Sequence, residues 1–165
     1  MYESYPSVPP EAEPVRAEPP ASVRNAVRLM YAGAALSAIV VIVTLVTIGS
    51  LKANILAHYP HYTSSQVHTA EVAGVVTSII GGLIAIGLWL WMAWANGRGR
   101  GWARIVATVF FAINTLDLIA SFARVHAVGT LIVGILVWVV GLGAIVFLYS
   151  KESSAYFAAQ RSARR

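Results

Sequence analysis

Asp117 and Asn114 stand three residues apart inside "FFAINTLDLIASF", a run that is otherwise apolar from Phe110 to Phe122. With about 100° between successive helical residues, Asn114, Asp117, Ser121 and Arg124 fall on one face at steps of three, four and three. A charged aspartate at the centre of a bilayer helix costs roughly 2.5–3.5 kcal/mol, so this polar stripe is expected to turn away from lipid. Arg124 lies about 10 Å along the axis from Asp117, and helical side chains lean toward the N-terminus, so its guanidinium can reach back toward the carboxylate. Three readings are open. Asp117 is an interhelical polar clamp held by Asn114, Ser121 or Arg124; or it is a proton or cation relay, of the kind intramembrane acids mark; or it sits shallow enough for water to reach it.

A second group, His58, His61, His68 and Glu71, falls in "LKANILAHYPHYTSSQVHTAE". Imidazoles with a carboxylate suit zinc or copper, but this spacing matches no ligand pattern, because His58 and His61 straddle Pro60 in a turn. His68 and Glu71 share a face on an early start to the following helix, where Thr63 and Gln66 have capping-box spacing. Solvated interfacial residues are the expectation, with metal binding the weaker alternative. There is no nucleophile motif, phosphate-binding loop, dinucleotide fingerprint or paired-carboxylate arrangement, and the glycines of "NGRGRG" follow no strand. No catalysis and no cofactor are expected. The chain has no cysteine, which excludes disulfides, thiolate metal sites, iron-sulfur clusters and palmitoylation.

These residues need apolar elements to carry them. The 165 residues are 58% hydrophobic and 12% charged, the balance of a membrane protein with one domain. Four stretches match the roughly 20 apolar residues that cross a hydrocarbon core of about 30 Å: 29–49, 72–94, 105–122 and 128–149. The third is the weakest, and its neighbours force it across as the return leg. The fold expected over 22–149 is an all-α four-helix transmembrane bundle.

Lys and Arg mark the cytoplasmic side of such a bundle. One side holds Arg16, Arg24, Arg28, Arg98, Arg100, Arg104, Lys151, Arg161, Arg164 and Arg165; the other holds only Lys52 and Arg124. Ten against two places both termini inside, N-in and C-in, in a plasma (inner) membrane. Trp89, Trp91, Trp94 and Trp102 cluster at the same interface, whereas Trp138 sits out of place near mid-span. The net charge of +5 comes from cations flanking apolar runs, which points to anionic lipid headgroups and away from nucleic acid.

Residues 1–21 hold six of the seven prolines and four of the seven acids, the composition of a disordered tail. A solvated spacer is expected there, with polyproline docking as the alternative. The tail also argues against a cleaved signal peptide, since about twenty polar residues precede the first span. Residues 150–165 form a basic tail, either frayed or a short interfacial helix with Tyr156 and Phe157 dipping into lipid.

Helices associate in lipid through small residues at four-residue spacing. Gly74, Ser78 and Gly82 form such a ridge, Gly33 and Ser37 another, and Gly134 and Gly141 lie one heptad apart. Internal packing is expected of them, with a homo-oligomer or another membrane protein as the alternative.

The stretches "SVRNAVRLMYAGAALSAI", "LWLWMAWANGRGRGWARIVATVFFAINTLDLI" and "WVVGLGAIVFLY" with "SAYF" resemble uncharacterised small four-span integral membrane proteins of actinobacteria. The resemblance covers about residues 22–157 and implies a topology and a location, with no activity to carry over. Small four-helix drug exporters share the plan but place a glutamate in the first span, where this chain has no acid. The expected role is a structural or interaction component of the membrane. The alternative is a small transporter or an ion- or proton-conducting oligomer built on Asp117.

Overall fold

Pro20, extended at φ −61° and ψ 163°, opens the first helix. The computed structural model describes residues 18–123 and 128–162, which fold into six helices. They are α1 (Ala21–Val46), α2 (Ile48–His58), α3 (Ser64–Gly97), α4 (Gly101–Ala123), α5 (Val128–Leu148) and α6 (Lys151–Ser162). Helices α1, α3, α4 and α5 are each long and apolar enough to cross a membrane. The chain is a multi-pass, all-α membrane protein. Residues 1–17 of the expected tail 1–21 and the residue Arg124 lie outside the described residues, and the last residue assigned to that tail, Ala21, opens α1.

The helices overrun the expected spans, and residues 50–71 are mostly helical. α2 continues the line of α1 after a single break at Thr47, whose hydroxyl donates to Val43 O at 2.7 Å, while Ser50 donates to Thr47 O at 2.8 Å. Such back-bonding hydroxyls bend helices. α3 begins at Ser64 because Thr63 caps it: Thr63 Oγ1 accepts from Gln66 N–H at 3.3 Å, and Gln66 Oε1 accepts from Thr63 N–H at 2.9 Å. That reciprocal box satisfies two amides that would otherwise be orphaned. α3 has 34 residues and α4 has 23. At 1.5 Å per residue the hairpin of α2 and α3 therefore outruns α4 by about 16 Å.

α1 packs along α3 and α5, and α4 packs along α5, whereas α3 and α4 meet only slightly. Val67 is buried by itself near the start of α3, while among the described residues the buried cluster lies at one end, where Val23, Met30, Met92, Leu148, Tyr156 and Phe157 form the core. We call this the closed end. α6 folds back beneath it, so Tyr156 and Phe157 (4% exposed) insert into protein and not into lipid. Ser153, wholly buried, donates to Phe147 O at 2.7 Å and lies 2.9 Å from Ser22 Oγ, tying α6 to the start of α1. Gly99 makes the turn between α3 and α4 at φ +66°, and a Cβ there would stand 2.9 Å from Tyr156. Only glycine allows both the turn and the docking of α6.

Small residues seat the helices. A Cβ on Gly33 would come within 2.6 Å of the Trp89 ring, one on Gly141 within 3.1 Å of Phe111, and one on Gly134 within 3.4 Å of Leu118. Gly82 abuts Val41 of α1, and Gly74 lies near Leu51 of α2 at 3.8 Å. Ser37 is buried and donates to Gly33 O at 2.9 Å, while Ser78 is exposed beside a smaller space of about 170 Å³.

Candidate functional site

Beyond their turn α3 and α4 part, and the space between them is a cavity of about 370 Å³ reached by side chains of all four long helices. Trp89 is central to it. Its ring lies against Gly33 of α1 and 3.8 Å from where a Cβ of Gly141 in α5 would stand, so two glycines accommodate one indole. Trp138 holds α4 to α5 on the far side. Its Nε1–H donates to Thr115 Oγ1 at 2.9 Å, Thr115 donates in turn to Phe111 O at 2.8 Å, and the Trp138 and Phe111 rings lie 5.7 Å apart. With Thr115 and Phe111 turned to α5, the helical period directs Phe110, Asn114 and Asp117 into the cavity.

Asn114 and Asp117 are therefore brought together at a site, but as lining groups. Asp117 is exposed and Asn114 half-buried, and among the described residues neither the Asp117 carboxylate nor the Asn114 amide makes a hydrogen bond or ion pair; Arg124, the remaining expected partner, lies outside them. Ser121, expected to help hold Asp117, instead donates to the Asp117 main-chain carbonyl at 2.8 Å, the usual resort of a serine inside a helix. The clamp formed by Asn114 or Ser121 is thus not made.

At the closed end the cavity stops on Met30 and Met92. Among the described residues the buried polar side chains are Ser22, Ser37, Asn96 and Ser153. Asn96 donates to Met92 O at 2.9 Å and leaves its Oδ1 without a partner. The cluster of Met30, Met92, Leu148 and Phe157 at that end is apolar and forms a plug between the cavity and the turn at Gly99.

Around the plug runs a girdle of arginines on aromatic rings. Arg98 and Arg100 lie 4.2 and 4.3 Å from the Trp94 ring centre, and Arg104 lies 4.0 Å from Tyr149. Trp91 and Trp102 meet at 5.3 Å across the turn and hold α3 to α4 there. Each cation–π contact is worth roughly 0.5–1 kcal/mol when exposed. The tryptophan-rich motif thus builds a structural collar.

The histidines do not converge. His58 Nδ1 bonds to Asn54 O at 2.9 Å at the end of α2, Tyr59 and Tyr62 stack at 4.7 Å in the turn, and His68 and Glu71 lie on α3. Among the described residues no three metal-capable side chains, including His58, His61, His68 and Glu71, come together. Sequence reasoning missed Trp89 and Asn96 as functional or structural centres. The signal for Trp89 was its spacing of seven from Asn96 along α3, which puts both on the face that meets α1.

No family model, curated protein or solved structure matches the chain.

Proposed function

We propose that the chain is a non-catalytic binding component of the membrane, whose cavity between α3 and α4 accepts a membrane-embedded molecule. One observation carries this reading: Asn114 and Asp117 line an open cavity with no partner among the described residues. Polar groups left unsatisfied in hydrocarbon cost several kcal/mol, and a fold that bears such a cost without gaining stability from it does so for a ligand. The relay alternative uses the same carboxylate. It is the weaker reading because the apolar plug of Met30, Met92 and Phe157 interrupts any polar route along the bundle.

The cation distribution and the arginine collar support placing both termini and the turn at Gly99 on the cytoplasmic side of the plasma membrane, among anionic headgroups. The likeness to four-span proteins of actinobacteria rests on the quoted stretches alone and adds the same topology to this proposal.

Replacing an acid with no partner among the described residues should not weaken the fold. Asp117→Leu is expected to unfold thermally at the wild-type temperature or above it, and to abolish binding. A loss of more than about 1 kcal/mol would make Asp117 a structural residue. In proteoliposomes, proton or cation flux that Asp117→Asn abolishes would favour the relay.

A further inference from the structure

We infer that the molecule received in the cavity is a cationic amphiphile, an alkylammonium whose head lies at Asn114 and Asp117 and whose chain runs toward Met30 and Met92. The inference rests on the binding role proposed above and adds the chemistry of the occupant. Size decides first. The lining of α4 runs from Ala107 to Asp117, ten residues or about 15 Å of helix, half of the roughly 30 Å that a transmembrane helix must span. A volume of about 370 Å³ lies at the lower end of the range for small-molecule sites, roughly 300–1,000 Å³. A partner helix does not fit, and a short-chained small molecule does.

Polarity decides next. Trp89, Phe110, Phe111 and Met92 make the walls apolar, Ser37 donates its hydroxyl to Gly33 O, and Asn114 and Asp117 lie one turn apart on α4 at the end of the lining remote from the plug. The Asp117 carboxylate and the Asn114 carbonyl both accept hydrogen bonds, and an ammonium offers three donors and the opposite charge. The Asp117 carboxylate, exposed at the mouth of the cavity, repels the phosphate of a phospholipid head, while a neutral chain leaves it unmet. The indole and phenyl faces beside it add cation–π attraction.

Three amphiphiles of equal length test this: decylammonium, decanol and decanoate, added to the full chain in zwitterionic nanodiscs. The protein carries 5-fluorotryptophan, and the Trp89 fluorine resonance is assigned by its loss in Trp89→Phe. Decylammonium is expected to shift that resonance saturably, with decanol weaker and decanoate without effect. Asp117→Asn should weaken decylammonium about tenfold or more, the worth of a charge-assisted bond, and Asp117→Glu should restore part of it. Equal saturable shifts from all three, unchanged by Asp117→Asn, would overturn the cationic specificity and leave the binding role standing. No shift at Trp89 from any of them, with the other resonances those of the folded protein, would overturn both.

Discussion

Trp138 carries an indole N–H into the middle of a span, where an unmet donor is costly, and Thr115 of the neighbouring helix meets it at 2.9 Å. Trp138→Phe keeps the ring contact with Phe111 and removes the bond, as Thr115→Val does from the other side. Each is expected to destabilise by about 0.5–1.5 kcal/mol, and a double-mutant cycle on thermal unfolding should return a coupling near 0.6 kcal/mol, the usual size of such bonds in membranes. Strict additivity would show that the two groups do not work as a pair. The residue scale was half legible. Helical period placed Asn114 and Asp117 on one face and marked Trp138 as a misfit, because both follow from positions along one helix. Which group meets which depends on residues far apart in the chain. Thus Thr115 as the partner of Trp138 and Ser121 turned to its own backbone both awaited the fold.

Gly81 and Gly82 differ by one position in the sequence and by everything in their surroundings. A Cβ at Gly82 would collide with Val41 of α1, while nothing lies within 4 Å of one at Gly81. Gly82→Leu should therefore destabilise the bundle by about 1–3 kcal/mol through overpacking, and Gly81→Leu should be neutral within about 0.5 kcal/mol. Thermal unfolding of the two variants side by side checks this; equal losses would mean that helix propensity and not contact with α1 sets the effect. Ridges of small residues were readable as packing faces, yet the hundred degrees that separate neighbouring residues decide which glycine is in contact. The apolar cores of the spans were readable for the same reason, since hydrocarbon thickness sets their length. Of their polar extensions, α2 was not readable, whereas the early start of α3 followed from the capping-box spacing of Thr63 and Gln66. "SSQVHTAE" carries no membrane signal, and α3 runs through it on the strength of the box between Thr63 and Gln66.

At the scale of the molecule the bundle is asymmetric, closed by α6 and its collar at one end and parted between α3 and α4 along the rest. The turn at Gly99 can be tight because φ +66° costs glycine nothing, and α6 can dock beneath it because no side chain intervenes. The docking of α6 was legible only as two aromatic residues in a basic tail, since amphipathic length alone does not distinguish a lipid surface from a protein one. The asymmetry makes orientation consequential. If the collar faces the cytoplasm, as proposed from the ten-to-two distribution of cations along the sequence, the cavity is entered from the bilayer or from the outer side, and the long hairpin of α2 and α3 projects outward. The chain has no cysteine of its own, so single substitutions report without background. Tyr62→Cys is expected to react with a membrane-impermeant maleimide in intact cells, and Arg100→Cys only after permeabilisation. The reverse pattern would invert the bundle and turn the collar outward. It would also leave its arginines without the anionic leaflet that gives seven further cations on the same side a reason to gather there.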